Sequence, residues 1–310
     1  MADRRKVILD TDPGIDDILA IMLANASPEF EFLGVTTVAG NVRVHEGTNN
    51  ALAARRTIEA DHLPVCAGCH RPLTRRLRTQ ADIYGKDEDI GIGFDPNWRQ
   101  QADPRHAVNF LLEQVAKYPG EITLFPLAPL TNLAAAIVMD PTFAPNVKEI
   151  FMMGGAAVVR GNTSPAAEFN LWVDPEAARV VFEAGIPITM IGLDVTGKTA
   201  LWPEDREELD RLDTPVARFI RRITRHYLDR PTPCYLYDPL AVAVGLRPAL
   251  VTQSALVRVD IETAGEFSHG MSVADLKGRS GRTPNVNVCL EVDSEAFRQL
   301  FWERVVHYRK

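Results

Sequence analysis

The chain has 310 residues, 46% hydrophobic and 24% charged, enough to bury a large core in one or two domains. A formal net charge of −7, with no long Lys/Arg run, excludes the basic stripe that nucleic-acid binding requires. No apolar run approaches a membrane span and RRKVILD is too short for a secretory h-region, so no membrane partner and a cytoplasmic location are expected.

Short β-branched runs alternate with helical patterns. Strands are predicted at 6–10, 32–38, 64–67, 121–125, 147–153 and 187–193. The first strand runs into a turn at Pro13-Gly14 and a helix over 15–23. Asp103-Pro104 reads as the N-cap and first residue of a helix extending to 118. Asp174-Pro175 opens another, which Gly185 closes in the left-handed conformation that glycine favours. Cys66 and Cys69 form a lone CxxC without a second pair at zinc spacing; with Cys234 and Cys289 they read as reduced thiols. After Asp194, helices are predicted near 203–212, 216–228 and 239–244. An antiparallel pair at 254–261 and 285–292 and a short helix from Asp293 follow. The expected fold class is α/β: a doubly wound, mostly parallel central sheet with helices on both faces and a decorated C-terminal third. No linker or repeat interrupts it, so one domain over 1–310 is expected.

The segment carrying most chemistry is VILDTDPGIDD. Asp10, Asp12, Asp16 and Asp17 fall within eight residues, where a buried strand meets a turn and a helix start. Ligands in open α/β sheets bind beyond the carboxyl ends of strands, which is where this turn lies. One such Asp would read as a turn residue or a complement to the helix dipole. Four repel one another, which favours a bound cation, and oxygen-only donors select Ca²⁺ or Mg²⁺.

DTDPGIDDILA resembles the N-terminal signature of the inosine–uridine-preferring nucleoside hydrolase family. VTTVAGN (35–41), APLTNLA (128–134, with Ala128 for the usual Gly), MGGA…GN…AEFN (153–170), DPEAA (174–178) and YDPLAV (237–242) follow in family order. The likeness runs from residue 6 to residue 245. It implies Ca²⁺-dependent hydrolysis of the N-glycosidic bond of ribonucleosides, to ribose and free base, in purine or pyrimidine salvage. It also implies a homodimer or homotetramer.

By the same resemblance, Asp12, Asp17, Asp238 and the backbone carbonyl of Leu127 would hold the ion, and Asp12 would accept the proton of the attacking water. Asp16 would hold the ribose 2′-hydroxyl. Asn41, Asn162, Glu168 and Asn170 would be further ribose contacts, with Met153 the floor beneath the sugar. Alternation along an extended segment would put Glu168 and Asn170 on one face. Asp238 could also cap a helix begun by Pro239.

Two family histidines on the leaving-group side are replaced, by Tyr84 in a Tyr84-Gly85 element and by Tyr237 before Asp238. Tyr237 becomes the candidate donor to the departing base. His226 and Tyr227 lie close in sequence to the family's flap over the base and are candidate contacts. Two alternatives stay open. One is a nucleoside- or ribose-binding protein with weakened catalysis. The other is a Mg²⁺-dependent phosphatase of the haloacid-dehalogenase type, with Asp10 as nucleophile.

Overall fold

The computed structural model describes residues 4–84 and 101–307, except the side chain of Tyr84. Eight strands share one sheet: β1 (Arg5–Thr11), β2 (Phe30–Thr37), β3 (Val65–Ala67), β4 (Ile122–Pro126), β5 (Val147–Met153), β6 (Ile188–Ile191), β7 (Val251–Val257) and β8 (Val286–Val292). They lie in the order β3-β2-β1-β4-β5-β6-β8-β7. All neighbours run parallel except β7, which is antiparallel to β8.

Burial on both faces explains why the central strands read as continuous apolar runs. Val7 and Leu9 of β1 enter a core with the helices Ile15–Asn25 and Tyr237–Leu246. Ile8 points the other way, into a core with Ala107–Lys117 and Thr131–Met139. Truncating one of these fully buried aliphatics, such as Leu9→Ala, costs about 2–5 kcal/mol. The chain starts in mid-sheet, builds outward through β2 and β3, then returns to β4 on the other side of β1. This reversal opens a crevice at the carboxyl ends of β1 and β4.

Asp174 caps the helix Pro175–Glu183 by accepting from the Ala177 N–H at 3.1 Å, and Gly185 beyond it has φ +79°. Asp103 does not cap. The helix starts at Ala107 behind His106, whose Nδ1 accepts from the Val108 N–H at 3.3 Å. The Asp103 carboxylate is instead held by Arg105, and its N–H donates to the Val65 carbonyl at 2.8 Å. The antiparallel pair also differs from expectation. β7 stops at Val257, while Val259–Ile261 pairs with Ser272–Ala274 in a separate ribbon. β8 lies parallel to β6 and so extends the main sheet.

Candidate active site

The crevice holds a cavity of about 300 Å³. Its floor is built by the turn after β1. Gly14 starts the helix Ile15–Asn25, which puts Asp16 and Asp17 in its first turn. Asp17 is fully buried. Its Oδ1 accepts from the Thr11 hydroxyl and from the Asp12 N–H (3.2 Å), and its Oδ2 accepts from the Gly14 N–H (2.9 Å). Asp12 is equally buried, its Oδ2 accepting from the Asn41 N–H at 2.5 Å. The Asn41 amide then bridges Asp12 Oδ1 and Asp17 Oδ2, at 3.3 Å to each. Gly40 makes that approach possible, since a Cβ there would sit 2.0 Å from Asp12 Oδ2.

Asp238 joins from the far side, on the first turn of the helix Tyr237–Leu246. Because this helix begins at Tyr237, Asp238 is not its cap and its carboxylate turns to the cavity. Asp16, Asp17 and Asp238 bring one oxygen each to within 4.8 Å of one another. Burial first, and then the neighbouring carboxylates, push the Asp16 carboxyl up to about 7. The same causes in the same order push Asp12 and Asp238 well above the usual carboxylate range. Such a cluster of buried, mutually repelling oxygens fits a hard divalent cation. The tight triad contains Asp16, whereas the expected ligand set contained Asp12; Asp12 lies beside the triad with one hydrogen bond from Asn41 on each oxygen, which leaves lone pairs free on both.

Asp10 serves the scaffold. It is buried off the cavity, its Oδ1 accepting from Thr36 Oγ1 (2.6 Å) and Asn132 Nδ2 (2.8 Å), and burial pushes its carboxyl up to about 7. Asp10 thus lies outside the carboxylate cluster at the cavity floor, and the phosphatase alternative, which needs it as the nucleophile, finds no support in this geometry.

The wall over the acids is polar. Leu127 follows β4, and its carbonyl accepts from Asn170 Nδ2 at 3.0 Å, leaving one lone pair. Asn170 also donates to the Met153 carbonyl at 3.2 Å, and Met153 closes the wall at the end of β5. Glu168 and Asn170 both line the cavity, though not on an extended segment. Glu168 is the N-cap of the helix Phe169–Val173, with Oε1 accepting from the Asn170 N–H (2.8 Å) and Oε2 from the Gly155 N–H (2.9 Å). Asn162 sits exposed at the rim, and its Oδ1 accepts from the Phe169 N–H at 3.0 Å.

The opposite wall is aromatic. Tyr227, Tyr235 and Tyr237 line it, with the last two rings stacked at 5.3 Å and 12°. His226 does not line the cavity: its side chain turns to Arg230 (3.3 Å) and its ring edge to Tyr227. Tyr84 ends the short helix Gln80–Tyr84; its side chain and Gly85 lie outside the described residues. Sequence reasoning missed Gln80 and Tyr235. Gln80 donates to Asn41 Oδ1 at 2.6 Å and so turns the Asn41 amide nitrogen toward the carboxylates. A lone Gln carries no signal for such a role. The Tyr-x-Tyr at 235–237 did, as alternation that puts both rings on one side.

The profile of a family described as inosine-uridine preferring nucleoside hydrolase matches residues 7–299. A relative of that name from Crithidia fasciculata is 36% identical over 304 residues, covering 94% of this chain and 95% of its own. The pyrimidine-specific ribonucleoside hydrolase RihA of Shewanella woodyi is 38% identical over 314 residues, covering 99% of each chain. A solved purine-preferring ribonucleoside hydrolase from Gardnerella vaginalis superposes with a TM-score of 0.89 at 33% identity, over 98% of each chain.

Proposed function

The chain belongs to the inosine-uridine preferring nucleoside hydrolase family and is an N-glycosidase, and we propose that it hydrolyses ribonucleosides to ribose and free base with Ca²⁺ at the cavity floor. The observation that carries this reading is the buried carboxylate cluster beneath a wall of amides and opposite a wall of tyrosines. The residues that would hold the ion are Asp12, Asp17, Asp238 and the Leu127 carbonyl. When bound, Ca²⁺ supplies a Lewis acid that makes water more acidic, and oxygen sites for a ribose diol.

The chain's own groups divide the remaining work. Asp12 takes the proton from the attacking water, its two oxygens held in place by the Asn41 N–H and side-chain amide. Asp16 accepts from the 2′-hydroxyl. Asn41, Asn162, Glu168 and Asn170 orient the ribose over Met153. They hold C1′ where positive charge develops as the base departs, and the carboxylates stabilise that charge. Tyr237 donates a hydrogen bond to the leaving base, and Tyr227 and Tyr235 flank it. Tyr84 and His226 would be further contacts to the base, His226 through the Tyr227 ring it packs against.

The main sheet, which takes strands from Arg5 to Val292, supports treating 1–310 as one domain. No helix among the described residues is long and apolar enough to cross a membrane. We extend the reading to a cytoplasmic homodimer or homotetramer in nucleoside salvage, which sedimentation and cell fractionation test. Its direct test is a hydrolysis screen over purine and pyrimidine ribonucleosides, read as free ribose. Tight binding of nucleosides without any ribose release would support a binding protein and defeat the hydrolase.

A further inference from the structure

Among the described residues, four buried side-chain polar atoms lack a hydrogen-bond partner. The two nitrogens of the four, Arg298 Nη1 and Trp302 Nε1, belong to residues that line one cavity outside the active site. Buried donors are nearly always paired, so two left open in one place call for an acceptor there. The cavity measures about 190 Å³, far beyond the roughly 15 Å³ that one water needs. Trp302 is only 7% exposed. Asp205 accepts from Arg298 Nη2 at 2.7 Å, and the guanidinium lies 5.0 Å from the centre of the Trp302 ring, so the two donor groups are neighbours.

The charges around this cavity are already matched. Arg298 faces Asp205, and Lys198 is held by Glu291 at 2.5 Å. Glu295 is exposed and accepts from Gln299 at 3.2 Å, and no other charged side chain lines the cavity among the described residues. Two cations against three carboxylates leave no surplus for an anion. The apolar lining is mostly aromatic, from Trp202, Phe297 and Phe301 besides Trp302. An uncharged flat ring suits such walls, and a carbonyl oxygen on it, with two lone pairs, can accept from both open donors.

This second cavity backs onto the active site. Thr199, Ala200 and Leu236 line it; the Leu236 N–H donates to the Thr199 carbonyl at 3.0 Å, and Ala200 pairs with Tyr235. Alternation sends Tyr235 and Tyr237 into the active-site cavity and Leu236 into the second. Leu236 is also the cap position of the helix Tyr237–Leu246, which carries Asp238. Resting on the hydrolase reading for the source of its ligand, we propose that the second cavity is an effector site for an uncharged, carbonyl-bearing heterocycle, the class to which a released nucleobase belongs. The ring takes the Arg298 and Trp302 donors and packs on Leu236. Bound there, it leaves the substrate cavity free and acts on kcat, whereas a base competing at the active site acts on KM.

The test is equilibrium dialysis of hypoxanthine against the Ca²⁺-loaded protein, with kcat measured on a nitrophenyl riboside at saturating concentration. Two equivalents per chain are expected, one in each cavity, and filling the second should change kcat by about twofold or more. Ser294→Phe, which blocks the lining with a bulky ring, should keep the basal kcat but lose the second equivalent and its effect. Trp302→Phe keeps the ring and removes the N–H, so the second equivalent should bind about 2- to 12-fold more weakly. Purine, which lacks the carbonyl, should bind there about tenfold more weakly than hypoxanthine, since both donors stay unpaired. One equivalent in all three proteins, no effect on kcat, or a second site that prefers purine or benzoate overturns the proposal while the hydrolase stands. No ribose released from any ribonucleoside overturns the hydrolase and the nucleobase as ligand source, whereas the dialysis count needs no turnover.

Discussion

The two walls of the cavity are built on different principles. The acid and amide wall rises from strand ends and first helical turns, and nearly every polar atom in it has two jobs. Asn41 ties Asp12 to Asp17 while Gln80 orients it, and Glu168 caps a helix while facing the cavity. The tyrosine wall comes from the C-terminal third, where Tyr235 and Tyr237 lean on each other. The first wall is over-determined and suits a fixed task, holding a cation and a ribose. The second is a set of ring surfaces, suited to a flat leaving group.

If the acid wall carries the common chemistry, damage there should be catastrophic. Asp238→Ala or Asp17→Ala should abolish turnover and bound Ca²⁺ together, because the remaining carboxylates lose a ligand but not their repulsion. Metal analysis and kcat on the purified variants check this. Next in size is the sugar. If Asp16 accepts from the 2′-hydroxyl, a 2′-deoxynucleoside should be poorer by roughly 10⁴-fold in kcat/KM, since the site is left with unpaired polar groups. Equal rates for the two sugars would remove Asp16 from its role.

The tyrosine wall should respond in a substrate-dependent way. Tyr237→Phe should cost inosine about 10²-fold in kcat, typical of a lost general acid, while a nitrophenyl riboside, which leaves unprotonated, should lose little. Equal losses would mean that Tyr237 only shapes the cavity.

The acid wall also has a cost without its ion. Asp16 titrates near 3.8 when unfolded and about 7 in the metal-free fold, because of burial and then the charge of Asp17. A raised folded value means that the native state holds its proton longer. The stability from that proton is fully present below about 4 and lost as pH rises through 7. The gap in Tm between Ca²⁺-loaded and metal-stripped protein should therefore widen from pH 5 to pH 8; a constant gap would contradict it. Smallest is Gln80→Leu. One net hydrogen bond contributes about 0.5–1.5 kcal/mol, so kcat should fall roughly 2- to 12-fold through a loosened Asn41.

The sequence disclosed these two walls unequally, for physical reasons. A strand running into DTDPGIDD states its own turn, helix start and charge crowding, so the acid wall was readable. Asp174 was readable as a cap because Pro175 can only begin a helix there. Asp103-Pro104 has the same letters, but Arg105 takes the carboxylate, and no local pattern reveals such a competitor. The place of β8 beside β6 depends on packing between segments about a hundred residues apart, which periodicity does not encode. Gln80 likewise acts through one long-range hydrogen bond.

The central claim is that the buried carboxylates work by holding a cation. Its most direct test is nitrophenyl riboside turnover, measured alongside metal content, on the wild-type protein as purified, after metal stripping, and after Ca²⁺ is restored. The account predicts about one Ca²⁺ per chain, loss of turnover on stripping, and recovery in proportion to the Ca²⁺ taken up. Full turnover by a chain free of metal would contradict it.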